Sequence, residues 1–89
     1  MVRRRVEVVN KLGLHARAAA KFVTLASRFQ SEVQLGRGDK VVNGKSIMGV
    51  MMLAAGRGTE LELIISGTDE RQAAQELEAL ISDRFGEQE

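Results

Sequence analysis

Asn10-Lys11-Leu12-Gly13-Leu14-His15-Ala16-Arg17-Ala18-Ala19-Ala20 is where the hydrophobic period of the chain changes. Upstream, Val2, Val6 and Val8 fall on one side and Arg3, Arg5 and Glu7 on the other, with Arg4 interrupting the inner row. Period two with β-branched residues predicts a strand with one solvated face. Downstream, Ala19, Phe22, Val23, Ala26 and Phe29 repeat at helical spacing, which predicts a helix from Ala16 to about Arg28. A glycine-containing loop joins the two, so the only histidine, His15, stands where loop becomes helix.

Such a junction presents unpaired backbone N–H groups and the positive end of a helix dipole, which suits a bound anion. Imidazole near pH 7 is substantially neutral and nucleophilic. Arg17, two residues on, adds a rigid fork of donors for phosphoryl oxygens, and the backbone N–H groups of Ala16 and Arg17 would hold the same oxygens. The residues therefore point to a phosphoryl carrier that takes a group on His15 and gives it away again.

The rest of the chain fits around this junction. Glu32 to Leu35 alternates, Gly36-Arg37-Gly38-Asp39 signals a turn, and Lys40 to Asn43 reads as a returning strand. After Asn43-Gly44, Ser46 is placed to cap a short helix over Ile47 to Leu53. Thr59 to Ser66 is the strongest strand, with Leu61, Leu63 and Ile65 inward and Glu60 and Glu62 outward. Asp69 reads as an N-cap with Gln72 three residues later, opening a helix on Ala73, Ala74, Leu77, Leu80 and Ile81. Gly86 would stop that helix, leaving Glu87-Gln88-Glu89 as a frayed tail. The order β-α-β-β-α-β-α predicts an α+β fold with one antiparallel sheet and helices on a single face. If the first and last strands are neighbours, Arg3 and Arg5 would pair with Glu60 and Glu62.

Length and composition narrow the function classes. Eighty-nine residues make one domain, 1–89, with one modest core. With no cysteine, packing alone must hold the fold, and a reducing compartment is the matching setting. The longest apolar run, Ile47 to Ala55, falls far short of the roughly 20 residues of a membrane span. The N-terminal arginines lack the apolar segment of a signal peptide. A cytoplasmic protein with no membrane association is expected. A formal charge of +1 argues against nucleic-acid binding, and no aromatic is placed for base stacking. Gly44-Lys45-Ser46 is not a P-loop, because Asp39 stands where the earlier glycine belongs. One histidine without convergent ligands gives no metal site, and no cofactor is expected.

Gly13-Leu14-His15-Ala16-Arg17-Ala18-Ala19 is similar to the active-site signature of the HPr family of phosphocarriers. Asn43-Gly44-Lys45-Ser46-Ile47-Met48-Gly49-Val50-Met51-Met52-Leu53 resembles that family's second signature, around its regulatory serine. The two motifs stand in register, so the resemblance spans essentially the whole chain. It implies an open-faced β-sandwich of three helices on a four-stranded antiparallel sheet. It also implies a place in the phosphoenolpyruvate-dependent phosphotransferase system. There, enzyme I would phosphorylate His15 on Nδ1, and an enzyme IIA domain would receive the group. Arg17 matches the family's active-site arginine, and Ser46 the serine that a dedicated kinase modifies in some bacteria.

Two features qualify the match. The family usually has proline after the arginine, whereas this chain has Ala18 and no proline anywhere. Alanine forgoes the fixed φ of proline and restores an N–H near the phosphate site. The cluster Ile47, Met48, Met51, Met52 and Leu53 is too apolar for one stripe of a short helix. With Ala20, the residues Ile47, Met48 and Met51 are expected to form a docking surface for transient partners, and methionine adapts to several of them. The chain would act as a monomer. The rival reading is a regulatory interaction protein on the same scaffold, working through the Ser46 face alone; the presence of His15 favours the carrier.

Overall fold

The computed structural model describes residues 1–89. Strand β1 (Val2–Glu7) leads into helix α1 (Ala16–Ala26), followed by β2 (Glu32–Arg37), β3 (Lys40–Asn43), α2 (Ile47–Met52), β4 (Glu60–Ser66) and α3 (Glu70–Ser82). A single 3-10 turn over Arg84–Gly86 follows α3. The strands form one antiparallel sheet in the order β1-β4-β2-β3. The three helices cover one face of it, giving the open-faced sandwich expected from element order.

Alternation decides which face is covered. Val2, Val6, Val8, Val33, Leu35, Leu61, Leu63 and Ile65 are buried beneath the helices. Ala18, Ala19, Phe22 and Ala26 of α1 and Ala73, Ala74, Leu77 and Ile81 of α3 complete the same core. Small residues on both helix faces let the helices approach closely and let Phe22 fill the centre.

The open face carries the charges. β1 and β4 are indeed neighbours, with Arg5 opposite Glu62 and Glu7 opposite Glu60. The ion pair runs diagonally instead, from Arg3 Nη1 to Glu62 Oε1 at 3.2 Å. Arg5 and Glu60 form no ion pair, so only part of the expected charge ladder exists. Being exposed, the Arg3–Glu62 pair contributes little.

Two local expectations are corrected. Asp69 occupies the N-cap position of α3 but makes no capping bond. Its carboxylate instead accepts from the backbone N–H groups of Gln30 and Ser31, at 2.9 and 3.0 Å, and from the Ser31 hydroxyl. These bonds, the Ser31 hydroxyl foremost, hold its carboxyl below the usual range. Glu70 does the reaching back, accepting from Gly67 N–H at 3.0 Å.

The other correction is the tail. Residues 87–89 are not frayed, and α3 ends at Ser82, four residues before Gly86. Arg84 and Phe85 both take positive φ, 57° and 56°, and Gly86 follows at 78°. Left-handed backbone at two non-glycine residues costs about 1–2 kcal/mol each. Burying the Phe85 ring completely returns about 1.5–3 kcal/mol. The Lys21 ammonium adds a bond to Phe85 O at 2.7 Å. The sharp turn so held sends the last residues back across the start of α1.

Candidate phosphoryl-transfer site

The loop before α1 is pinned before it can present anything. Gly13 sits at φ 68°, and a Cβ there would lie 2.4 Å from Ala55 O, so both backbone and space demand glycine. Leu14 N–H donates to that same carbonyl at 2.8 Å. Asn10, fully buried, donates its amide to Gly13 O at 2.8 Å. The loop is thereby tied both to itself and to the segment after α2.

His15 is the N-cap residue of α1, in extended conformation, and its side chain makes no capping bond. The first bond of the helix runs from Ala19 N–H to His15 O at 2.9 Å. The N–H groups of Ala16, Arg17 and Ala18 consequently have no partner in the protein. Three unpaired donors at the positive end of an 11-residue helix are what a bound anion would need. Ala18 itself is buried, while Ala16 and Arg17 are exposed.

A cleft of about 380 Å³ opens beside these groups, lined by Lys11, Leu12, His15, Arg17, Glu87, Gln88 and Glu89. His15 and Arg17 are thus brought together, as their spacing predicts. The Arg17 guanidinium has no ion-pair or hydrogen-bond partner and is free to take a ligand. The imidazole is 28% exposed, neither sequestered nor loose.

What the sequence did not disclose is the partner of the ring. Nε2 of His15 lies 2.5 Å from Glu87 Oε2. The other carboxylate oxygen of Glu87 accepts from Asn10 Nδ2 at 3.0 Å. Burial pushes the Glu87 carboxyl up, but the Asn10 amide and the His15 ring together outweigh it and leave the group below the usual glutamate range. Since the folded value is depressed, the contact stabilises the fold above the ordinary glutamate range and is lost as pH falls through the folded value. Lys11 fastens the end of the tail through its N–H to Glu89 O and its ammonium to Glu89 Oε2, the latter at 3.4 Å. No local pattern marks Glu87, 72 positions from the ring it meets.

Ser46 starts α2, its hydroxyl accepting from Gly49 N–H at 3.1 Å. The short helix buries only Val50, with Leu53 just beyond it. Ile47, Met48, Met51 and Met52 are all exposed, Met48 by 71%. Ala20 is half-buried on α1, which packs against α2. Leu12, 66% exposed, is an apolar residue of the cleft wall shared with His15 and one that sequence reasoning did not single out.

Comparison with known proteins identifies the family. The family model described as "PTS HPr component phosphorylation site" matches residues 2–83. Phosphocarrier protein HPr of Neisseria meningitidis serogroup A is 54% identical over the full length of both chains. That of Cupriavidus necator is 53% identical, again over the whole of each. Among solved structures, HPr from Thermoanaerobacter tengcongensis superposes with a TM-score of 0.96 at 44% identity, covering all of both chains. Crh, the Bacillus subtilis catabolite repression protein, gives a TM-score of 0.77 at 50% identity over 94% of this chain and 97% of its own. Its structure is described as a domain-swapped dimer.

Proposed function

The chain belongs to the HPr family, the phosphocarriers of the phosphotransferase system, and we propose that His15 is the residue on which it carries the phosphoryl group. Phosphorylated enzyme I is the donor and an enzyme IIA domain the acceptor. The observation that supports this reading most is the helix start. His15 immediately precedes three N–H groups without partners and shares a cleft with an unpaired Arg17.

The chemistry follows from those groups. The Nδ1 lone pair attacks the phosphorus of the donor, whose own N–P bond breaks. The N–H groups of Ala16 and Arg17 and the Arg17 fork take the phosphoryl oxygens. Phosphoryl transfer depends mainly on positioning and charge stabilisation, so these few donors suffice and the partner proteins bring the rest. A phosphorylated imidazole stays a good leaving group, which a carrier needs. A serine ester leaves poorly, so phosphate placed on Ser46 by a kinase would stay until a phosphatase removes it. One chain can accordingly use His15 as a relay and Ser46 as a switch.

The partners dock on the surface formed by Ala20, Ile47, Met48 and Met51. Ser46 stands beside it, so about −1.5 to −2 charges there act on docking more than on folding. The protein works in the cytoplasm.

Intact-mass measurement after incubation with phosphoenolpyruvate and enzyme I tests the central assignment. The native chain should gain one phosphoryl group that acid removes, and His15→Ala should gain none. Acid-labile phosphate on His15→Ala would overturn it.

A further inference from the structure

The tail is built into the site, and its last turn has no role in the reading given so far. We propose that Glu87 is a positioning residue for the transfer: it holds a proton on Nε2 of His15 throughout the cycle, keeping Nδ1 the reacting atom. The inference rests on the assignment of His15 as the carrier residue.

A carboxylate can only accept a hydrogen bond, so at 2.5 Å from Glu87 Oε2 the ring nitrogen Nε2 must be the donor. In the neutral ring Nδ1 then holds the lone pair, and it makes no hydrogen bond to the protein. The carboxylate cannot swing away freely. Its second oxygen is held by Asn10, whose amide also grips Gly13 O in the loop that carries His15. Phe85, two residues before Glu87, is locked in the core, and Lys21 holds its carbonyl. The Glu87 side chain is only 16% exposed. Ring and carboxylate are thus positioned through one buried asparagine.

The charge balance gives this arrangement a purpose. As Nδ1 forms its bond to phosphorus, the donor's N–P bond breaks and its electron pair returns to the donor nitrogen. The ring, still protonated on Nε2, becomes cationic, and the Glu87 carboxylate lies directly against that charge. Onward transfer returns the bonding pair to Nδ1 and leaves the ring neutral. No proton moves in either direction. The other charged groups around Glu87 and the cleft act elsewhere. Glu89 is paired with Lys11, Lys21 is bound to Phe85 O, and Arg17 is free for the phosphoryl oxygens.

Two measurements on the full chain, for Glu87→Ala and for Glu60→Ala, on the exposed sheet face away from the cleft, as a control, test the proposal. The first is solvent exchange of the His15 Nε2–H proton by NMR in the unphosphorylated protein. The second is phosphorylation by enzyme I, resolved into kcat and KM. In the native protein and in Glu60→Ala the ring proton should be slow to exchange and the rates alike. In Glu87→Ala it should exchange rapidly, with kcat about tenfold lower, the lower end of the loss when a carboxylate orienting a metal-ligating imidazole is removed, and KM for enzyme I within about twofold. An unprotected ring proton in the native chain would overturn the proposal, and so would an unchanged kcat in Glu87→Ala. A circular-dichroism melt of each variant separates these outcomes from loss of fold. The ring-proton result does not depend on phosphorylation, so failure of the carrier assignment would be seen separately, in the His15→Ala labelling.

Discussion

Helices α1 and α2 both begin just after a glycine-containing loop, yet their first turns are finished differently. At α1 the N-cap is His15, whose side chain faces away to Glu87 and leaves the N–H groups of Ala16, Arg17 and Ala18 without partners. At α2 the N-cap is Ser46, whose hydroxyl closes back on Gly49 N–H. The start of α1 is open at all three N–H groups; that of α2 is closed at Gly49, while those of Ile47 and Met48 stay unpaired. A helix terminus becomes a binding site when its cap residue is engaged elsewhere, and here a 72-residue contact to the tail engages it.

The open terminus is the more fragile to function. Arg17→Ala removes the one unpaired side-chain cation of the cleft while leaving helix propensity intact. We expect its phosphorylation rate to fall by about 100-fold, equivalent to about 2.7 kcal/mol in the barrier. The melting temperature should hardly change, since Arg17 is exposed and unpaired. Quench-flow with phosphorylated enzyme I measures the first and calorimetry the second. A stable variant with undiminished rate would mean that backbone donors alone make the site.

The sequence showed the open start and missed what holds it open. Strands and helices were legible because Leu61, Leu63 and Ile65 alternate while Ala19, Phe22, Val23 and Ala26 recur at helical spacing, and each pattern reflects burial on a single face. His15 and Arg17 were legible because they are close in the chain and sit at a change of period. The tail was not. Arg84 and Phe85 take left-handed φ without being glycine, so no turn signal marks them, and Phe85 reads equally well as the end of a helix stripe. Asp69 misled for a related reason: its acceptors are satisfied by Gln30 and Ser31, from a distant loop, and local cap rules cannot see that competition.

At the closed start the effect is smaller and divides in two. Ser46→Ala leaves Gly49 N–H without its acceptor and should cost about 1 kcal/mol, lowering the melting temperature by about 4–8 °C. Ser46→Asp keeps an acceptor at the cap and places negative charge at the helix start, so stability should be preserved. Its affinity for enzyme I, followed by heteronuclear titration, should weaken, since the charge sits beside exposed Ile47 and Met48. Unchanged affinity in Ser46→Asp would remove the switch from the comparison and leave Ser46 as a cap alone.

The smallest change sharpens the comparison most. Ala18 occupies the third helical position of α1, and its N–H, like those of Ala16 and Arg17, is unbonded. Proline there sacrifices no hydrogen bond, and the carbonyl four residues back belongs to Leu14, outside the helix, so the ring meets no helical carbonyl. It does press on the helical backbone of Arg17, which offsets part of the gain from a stiffer unfolded chain. Ala18→Pro should therefore raise stability by about 0.5 kcal/mol, readable in urea denaturation. The phosphorylation rate should stay within about twofold, because Ala18 is buried whereas Ala16 and Arg17 are exposed. A tenfold loss with stability retained would show that the third N–H is itself a phosphoryl ligand, and that the open terminus of α1 uses every donor it leaves unpaired.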